Sequence, residues 1–278
     1  MMNLRAEENL WELATHNWNY LNALCKFIPF SSIKIDNDTK LGSGELASVY
    51  SGSFTSDDRN IQCAIKVVPE NSPIFNLSGL RQEIVVLSVV SHPRLVKFYG
   101  YSYNEEKQKF YLLQFKMEMN LSEWVKQIAP QSCIEQGLQI IADIAESARV
   151  VHSFNIVHRD MAPGNVLLIR ESGIWRASLS DFGIARKLAK GGMTRYAPQE
   201  SFSAPELLSS VEWECPYTQA IDVFSFGKLS EMIVNAIPIS SESTIKAQII
   251  HLVHQCTHHD PQRRPPMAAN LVFVQALM

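Results

Sequence analysis

Two glycines and a lysine stand where chemistry could begin. The segment Leu41-Gly42-Ser43-Gly44-Glu45-Leu46-Ala47-Ser48-Val49-Tyr50 sets Gly42 and Gly44 two apart. With no side chain in the way, such a turn brings backbone close to an anion. The same spacing also makes a plain hairpin turn, so alone it does not decide. Strand-forming residues on both sides weigh against a dinucleotide-binding turn, which opens a helix. No Gly-Lys-Ser/Thr follows, so a phosphate loop of that type is absent. Lys66 lies in the apolar run Ala64-Ile65-Lys66-Val67-Val68. A charge in such a strand calls for a partner, and Glu83 on the next helix is the candidate. The other reading of Lys66 is a surface lysine whose stem covers apolar neighbours. Asp57 and Asp58 are paired acids, but they fall in a polar hairpin tip and read as solvated.

These residues need elements to hold them. Leu10, Ala14, Trp18, Leu21, Cys25 and Ile28 recur every three or four residues and make one apolar helical stripe. Glu7, Glu8 and Glu12 near its start and Lys26 near its end suit the helix dipole, and Pro29 ends it. The stripe predicts packing on the domain behind it; docking of a partner and a dynamic tail are the other readings. From Ile33 to Val68 the period becomes that of strands, with Asp57 to Asn60 as the tip of a hairpin. Leu80 to Val90 is helical, and Val96–Tyr103 and Phe110–Phe115 are two more strands. After Leu121 the pattern is mostly helical. Ser132 and Glu135 read as a capping box for a helix with Ile134, Leu138, Ile141, Ala145 and Ala148 inward. Polar turns at His158–Leu168 and Leu179–Gly183 are flanked by short strands, and helices follow near Ala220–Val234 and Thr244–Cys256. The class is α+β: a helical extension over 1–30, a small antiparallel-sheet lobe with one helix over 31–117, and a larger helical lobe over 118–278.

Composition bounds the function. A chain of 278 residues suffices for one large domain or two lobes. Hydrophobic residues at 46% and charged residues at 19% exclude a disordered chain. Lys plus Arg at 25 against Asp plus Glu at 28 gives a net charge of -3, without the basic footprint of a nucleic-acid binder. Five cysteines with no CxxC pair argue against a disulfide scaffold or zinc ribbon and suit a reducing compartment. A charged start without an apolar segment and the lack of a long apolar run predict no signal peptide and no membrane span. The expectation is a cytoplasmic protein; an effector secreted without a cleavable signal would read the same.

A further set of residues gives the order its meaning. His158-Arg159-Asp160-Met161-Ala162-Pro163-Gly164-Asn165 is followed by Asp181-Phe182-Gly183, Ala204-Pro205-Glu206, Asp222 to Gly227, and Asp260-Pro261-Gln262-Arg263-Arg264-Pro265. This set resembles the signature of eukaryotic-type protein kinases, over roughly Ile33 to Met278. The resemblance implies a bilobal kinase-like fold that uses ATP and Mg²⁺. It places Leu41, Gly42, Gly44 and Val49 over the nucleotide and Lys66 on its phosphates, with Glu83 as the partner. It makes Asp160 the group that receives or orients the acceptor hydroxyl proton, and Asn165 and Asp181 the metal ligands. Carboxylate and amide oxygens suit the hard Mg²⁺ ion. Val49, Ala64 and Leu167 would enclose adenine, Gln114 would stand at the back of its pocket, and Phe115 and Met117 would supply the hinge. Arg159 would meet a phosphorylated activation loop, Glu206 and Arg264 would form a structural ion pair, and Asp222 would brace the loop around Asp160.

Some positions depart from that signature. Ala47 replaces the usual third glycine. The transfer residues are all present, which favours an enzyme over a nucleotide-binding pseudokinase or scaffold. Ala162 stands where serine/threonine members usually have lysine, and it and the Asp222–Gly227 segment resemble tyrosine and tyrosine-kinase-like members. Gly164 replaces the arginine usual in tyrosine kinases, and Gln199 fits neither pattern. The expectation is a kinase near the tyrosine-kinase branch that acts on a protein hydroxyl, tyrosine ahead of serine or threonine. A small-molecule alcohol is the alternative acceptor. The second lobe is short after its central helix, where Pro238, Ser240 and Ser241 bridge briefly. Tyr196, then Thr194, are the first candidates for phosphorylation. His251, His254 and His258 could share a helical face and suggest zinc, but the segment aligns with a structural helix with Cys256 in its core.

Overall fold

Alternation of apolar and polar residues builds a five-stranded sheet from β1 (Ile33–Ser43), β2 (Ser48–Ser56), β3 (Arg59–Pro69), β4 (Phe98–Asn104) and β5 (Lys109–Gln114). Its order is β1-β2-β3-β5-β4, and every pairing is antiparallel. The computed structural model describes residues 18–44, 47–72, 75–188, 193–194, 200–209, 214–215, 218–240 and 242–278. The chain divides into two compact units, Met1–Ser91 with Val96–Met117 and His92–Leu95 with Glu118–Met278.

In the first unit, Asp57 and Asp58 both take left-handed φ, 49° and 59°, and close β2 onto β3 as a two-residue hairpin. Ile65, Tyr111 and Leu113 point to one side of the sheet, where Ile28, Ile33, Phe54 and Cys63 complete a buried cluster. Val49 pairs with Lys66, and Ala64 with Gln114, so these four share the opposite side. Helix α1 spans Trp18–Leu24 and α2 spans Leu77–Val89. Asn76 caps α2 by accepting the Gly79 N–H at 3.1 Å.

Helix α1 stops at Leu24, not at Pro29. The Lys26 carbonyl accepts the Tyr101 N–H at 3.1 Å, and the Ile28 N–H donates to the Tyr101 carbonyl at 2.8 Å. Phe27 and Tyr101 form a parallel bridge. The backbone of 26–28 is thus committed to β4, which a helix could not allow, although Cys25 and Ile28 are still buried. Leu10 and Ala14 of the apolar stripe lie outside the described residues.

The second unit is mainly helical. It holds α3 (Leu121–Gln127), α4 (Ile134–Ser153), α5 (Pro205–Ser209), α6 (Ala220–Ala236), α7 (Thr244–Cys256) and α8 (Met267–Gln275). A small sheet runs β6 (Met119–Asn120), β8 (Val166–Glu171), β9 (Ile174–Leu179), and β7 (Ile156–Val157) pairs with β10 (Arg186–Lys187). Met193–Thr194, as β11, pairs with Glu214–Cys215, as β12. Only 237–243 separate α6 from α7. The capping box expected at Ser132 is not formed. Cys133 is the N-cap residue of α4, and the Ser132 hydroxyl donates to the Ile128 carbonyl at 3.0 Å. A capping box does open α3, between Asn120 and Glu123. No helix among the described residues is long and apolar enough to cross a membrane.

Candidate active site

The site residues fall into two sets, one in each unit. In the first, Lys66 on β3 reaches Glu83 on α2, Nζ to Oε1 at 2.6 Å, with side chains 14% and 4% exposed. Gly42 pairs with Val49, and the Gly44 N–H donates to the Ala47 carbonyl at 2.9 Å. Among the described residues, a Cβ on Gly42 would meet nothing within 4 Å, and one on Gly44 only the Ala47 carbonyl oxygen at 4.0 Å. Packing does not require either glycine, and both leave backbone open to approach. Leu41, just before them, is exposed. Glu45 and Leu46 lie outside the described residues. At the end of β5, the Gln114 Nε2 is buried and lacks a hydrogen-bond partner among the described residues. The Phe115 N–H is committed to the Lys97 carbonyl at 2.8 Å, whereas the Met117 N–H meets no backbone carbonyl among the described residues.

In the second unit, one carboxylate organises the loop that carries Asp160. Asp222, in the first turn of α6 and 1% exposed, accepts the His158 N–H at 2.8 Å and the Arg159 N–H at 2.9 Å. His152 at the end of α4 lies 2.8 Å from the same carboxylate. Burial alone would push the Asp222 carboxyl up. The hydrogen bond from His152, electrostatic attraction to the His152 and His158 rings and the Arg159 N–H outweigh that and hold it below its ordinary value. These bonds support Arg159 in left-handed backbone, φ 74°, a conformation that costs a non-glycine residue about 1–3 kcal/mol. His158 ties the loop to the next segment: Nδ1 accepts the Asp160 N–H at 3.3 Å and Nε2 donates to the Ser180 carbonyl at 3.0 Å. Its ring also lies 4.8 Å from that of Phe182.

Asn165 completes the group. Its amide nitrogen donates to the Asp160 carbonyl at 2.9 Å and to the Asp160 carboxylate at 2.7 Å. Its main-chain carbonyl accepts the Ser180 N–H at 2.9 Å and the Ser180 hydroxyl at 3.0 Å. Asp181 follows at once, with left-handed φ of 58° and its carboxylate on the Gly183 N–H at 3.2 Å. Direct bonds therefore join Asn165 to Asp160 and to Ser180, the residue before Asp181. Leu167, on β8, is paired with Asn120 and Ser178.

The donor chemistry fits Mg²⁺. The Asn165 amide nitrogen is committed to Asp160, which leaves its Oδ1 open to a cation. No group of three or more His, Cys, Asp or Glu able to hold a metal occurs among the described residues. An amide oxygen and a carboxylate are the hard oxygen donors that suit Mg²⁺, which usually takes its remaining positions from phosphate and water.

The family model described as protein kinase domain matches residues 35–272. The chain belongs to the protein kinase family. A protein of Dictyostelium discoideum named a probable serine/threonine-protein kinase is 29% identical over 271 residues, covering 90% of this kinase chain and 28% of that protein. A second from the same organism, the RGS domain-containing serine/threonine-protein kinase A, is 23% identical over 258 residues, covering 86% of this chain and 22% of its own length. A third there, also named a probable serine/threonine-protein kinase, is 32% identical over 256 residues, covering 85% of this chain and 41% of its own. This kinase chain spans well under half the length of these relatives.

Those names overturn the placement near the tyrosine-kinase branch and the preference for tyrosine. The structure accounts for one of the residues behind that expectation. Ala162 is 1% exposed; its N–H donates to the Asp160 carbonyl at 3.0 Å, and its carbonyl accepts the Asn165 N–H at 2.9 Å. Loop packing sets its size. Among the described residues a Cβ at Gly164 would meet nothing within 4 Å, so their packing does not explain the missing arginine. Gln199 lies outside the described residues, as does Tyr196, and Thr194 is placed only as backbone in β11.

Away from this cluster, Arg264 grips Glu206 with two bonds, 2.7 and 2.8 Å, and its side chain is fully buried. Sequence reading passed over His152 and Asp143, both polar residues on the buried side of α4. A buried polar group on an apolar helix face needs a partner, and that was the available signal.

Proposed function

We propose that this chain is a Mg²⁺-ATP-dependent serine/threonine protein kinase domain. The Asp160–Asn165 bonds, tied through Ser180 to the segment that carries Asp181, carry the reading, and the relatives' names supply the acceptor class. Asp160 orients the acceptor hydroxyl and takes up its proton as oxygen bonds to the γ-phosphorus and the bond from that phosphorus to the β-phosphate oxygen breaks. Asn165 fixes the Asp160 carboxylate through its amide nitrogen. Lys66, held by Glu83, presents its ammonium to phosphate oxygens, and Gly42 and Gly44 let backbone approach them. Val49, Ala64 and Leu167 offer apolar contacts to adenine, with Gln114 behind it and the Phe115–Met117 backbone at its edge. When bound, the metal neutralises charge on the phosphate oxygens, held by Asn165 and Asp181.

The test is to incubate the protein and its Asp160→Asn variant with Mg²⁺-ATP and a mixed protein substrate, then map products by mass spectrometry. Phosphoserine and phosphothreonine are expected from the unmodified protein, and at least about 100-fold less from the variant. Phosphotyrosine alone, or equal incorporation by both proteins, would refute the proposal.

A further inference from the structure

Behind β9, on the side away from Asn165, lies a carboxylate to which the reaction assigns no part. Asp143 on α4 is 3% exposed. It accepts from Arg176 Nε and from the second guanidinium nitrogen at 2.8 Å each, from the Ala177 N–H at 2.9 Å, and from Gln139 at 3.1 Å. Arg94 Nη1 approaches it at 3.5 Å while Arg94 Nη2 reaches Glu171 at 3.2 Å. The Arg94 carbonyl accepts the Leu179 N–H at 3.2 Å and also the Ser147 hydroxyl from α4. Leu95 and Leu179 form a parallel bridge. Arg176 and Ala177 lie on β9, and Leu179 ends it two residues before Asp181. The strand is thus fixed from α4 and from 92–95 on one side, and from β8 and the Asn165–Ser180 bonds on the other.

We propose that Asp143 is a positioning residue for Asp181, acting through β9. A buried carboxylate with this many donors needs a structural reason, since its desolvation must be offset. Two donors, Arg176 and Ala177, are successive residues of one strand, so the carboxylate sets that strand's position along α4. Ser180 then carries the position to Asn165, and Asp181 follows in a left-handed backbone that its surroundings must hold. The inference rests on the reading of Asp181 and Asn165 as metal ligands. Groups that hydrogen-bond a metal ligand directly typically alter metal affinity by about 10- to 100-fold when changed, and Asp143, one strand further back, is set at the lower end of that range.

The test is calorimetric titration of the full chain with ATP, with Mg²⁺ and with the metal chelated away. The unmodified protein is expected to bind ATP more tightly with Mg²⁺. Asp143→Asn keeps the size and one oxygen acceptor but removes the charge; it should lose at least about tenfold of that tightening and leave metal-free affinity unchanged. Arg176→Met removes the ion pair from its more exposed side, keeps the apolar stem, and should show a smaller loss in the same direction. It decides the matter should Asp143→Asn fail to fold. If the unmodified protein shows no tightening, the metal-ligand reading falls and the proposal with it. Unchanged tightening in the variants, or equal loss with and without metal, overturns the positioning role alone and leaves that reading standing.

Discussion

At Lys66, burial of a charge and its neutralisation come from two different elements. Lys66 retains some solvent access, while Glu83 is almost fully buried. Removing the lysine takes a 2.6 Å partner from the more buried group; removing the acid's charge leaves the more accessible one. Lys66→Met should therefore destabilise the fold more than Glu83→Gln, by about 1–3 kcal/mol against about 1 kcal/mol, as read by urea denaturation. Both should weaken nucleotide binding in the same titration. The reverse order of stability would show that Glu83 does not depend on Lys66. The pair was legible in sequence because a lysine inside an apolar strand demands an acid, and Glu83 sat on the next helix. Asp143 was not. Its partners on β9 are 33 and 34 residues away, and no local pattern joins an acid in one helix to the backbone of a strand that far along.

At the scale of elements, period and turn chemistry told strand from helix, but ends depended on distant partners. The β2–β3 hairpin was legible from Asp57 to Asn60. The end of α1 was not, because Tyr101, far along the chain, takes the backbone of Lys26 and Ile28. The capping signals show the same limit. Ser132-x-x-Glu135 and Asn120-x-x-Glu123 are equivalent by spacing, yet only the second is a box. There the Asn120 side chain accepts the Glu123 N–H at 2.9 Å and Glu123 accepts the Asn120 N–H at 3.0 Å. Asn120 also lies in β6, whose pairing to β8 presets the extended backbone that a cap needs. Asn120→Ala should cost about 1 kcal/mol in chemical denaturation. Ser132→Ala removes a bond to a carbonyl one turn earlier and should cost less. Equal losses would mean that Ser132 caps α4 in solution after all.

Across the molecule, the order of the polar motifs made the family legible, and within the second unit a chain reversal brings the Asp222 motif to the loop that carries Asp160. The reversal itself depends on buried charge, and Asp222 is its centre in the second unit. It joins α6, the end of α4 through His152, and the backbone of His158 and Arg159. Its folded carboxyl ionises below the ordinary value of 3.8. The folded state therefore binds fewer protons there than the unfolded chain, and the stability that Asp222 adds is fully present above that ordinary value. It is lost as pH falls through the lower folded value. Glu146, which its hydrogen bond with Arg149 also holds below the ordinary range, loses stability in the same direction. Asp36 and Glu135 are also held below their ordinary values, so a single acid titration cannot separate these groups, but a difference can. Denaturation of the unmodified protein and of Asp222→Asn between about pH 3 and about pH 7 cancels the Glu146 contribution, which both share. The gap between them should be widest at neutral pH and narrow in the acid range. A gap independent of pH would mean that Asp222 holds the loop by shape and hydrogen bonding alone, with no contribution from its charge.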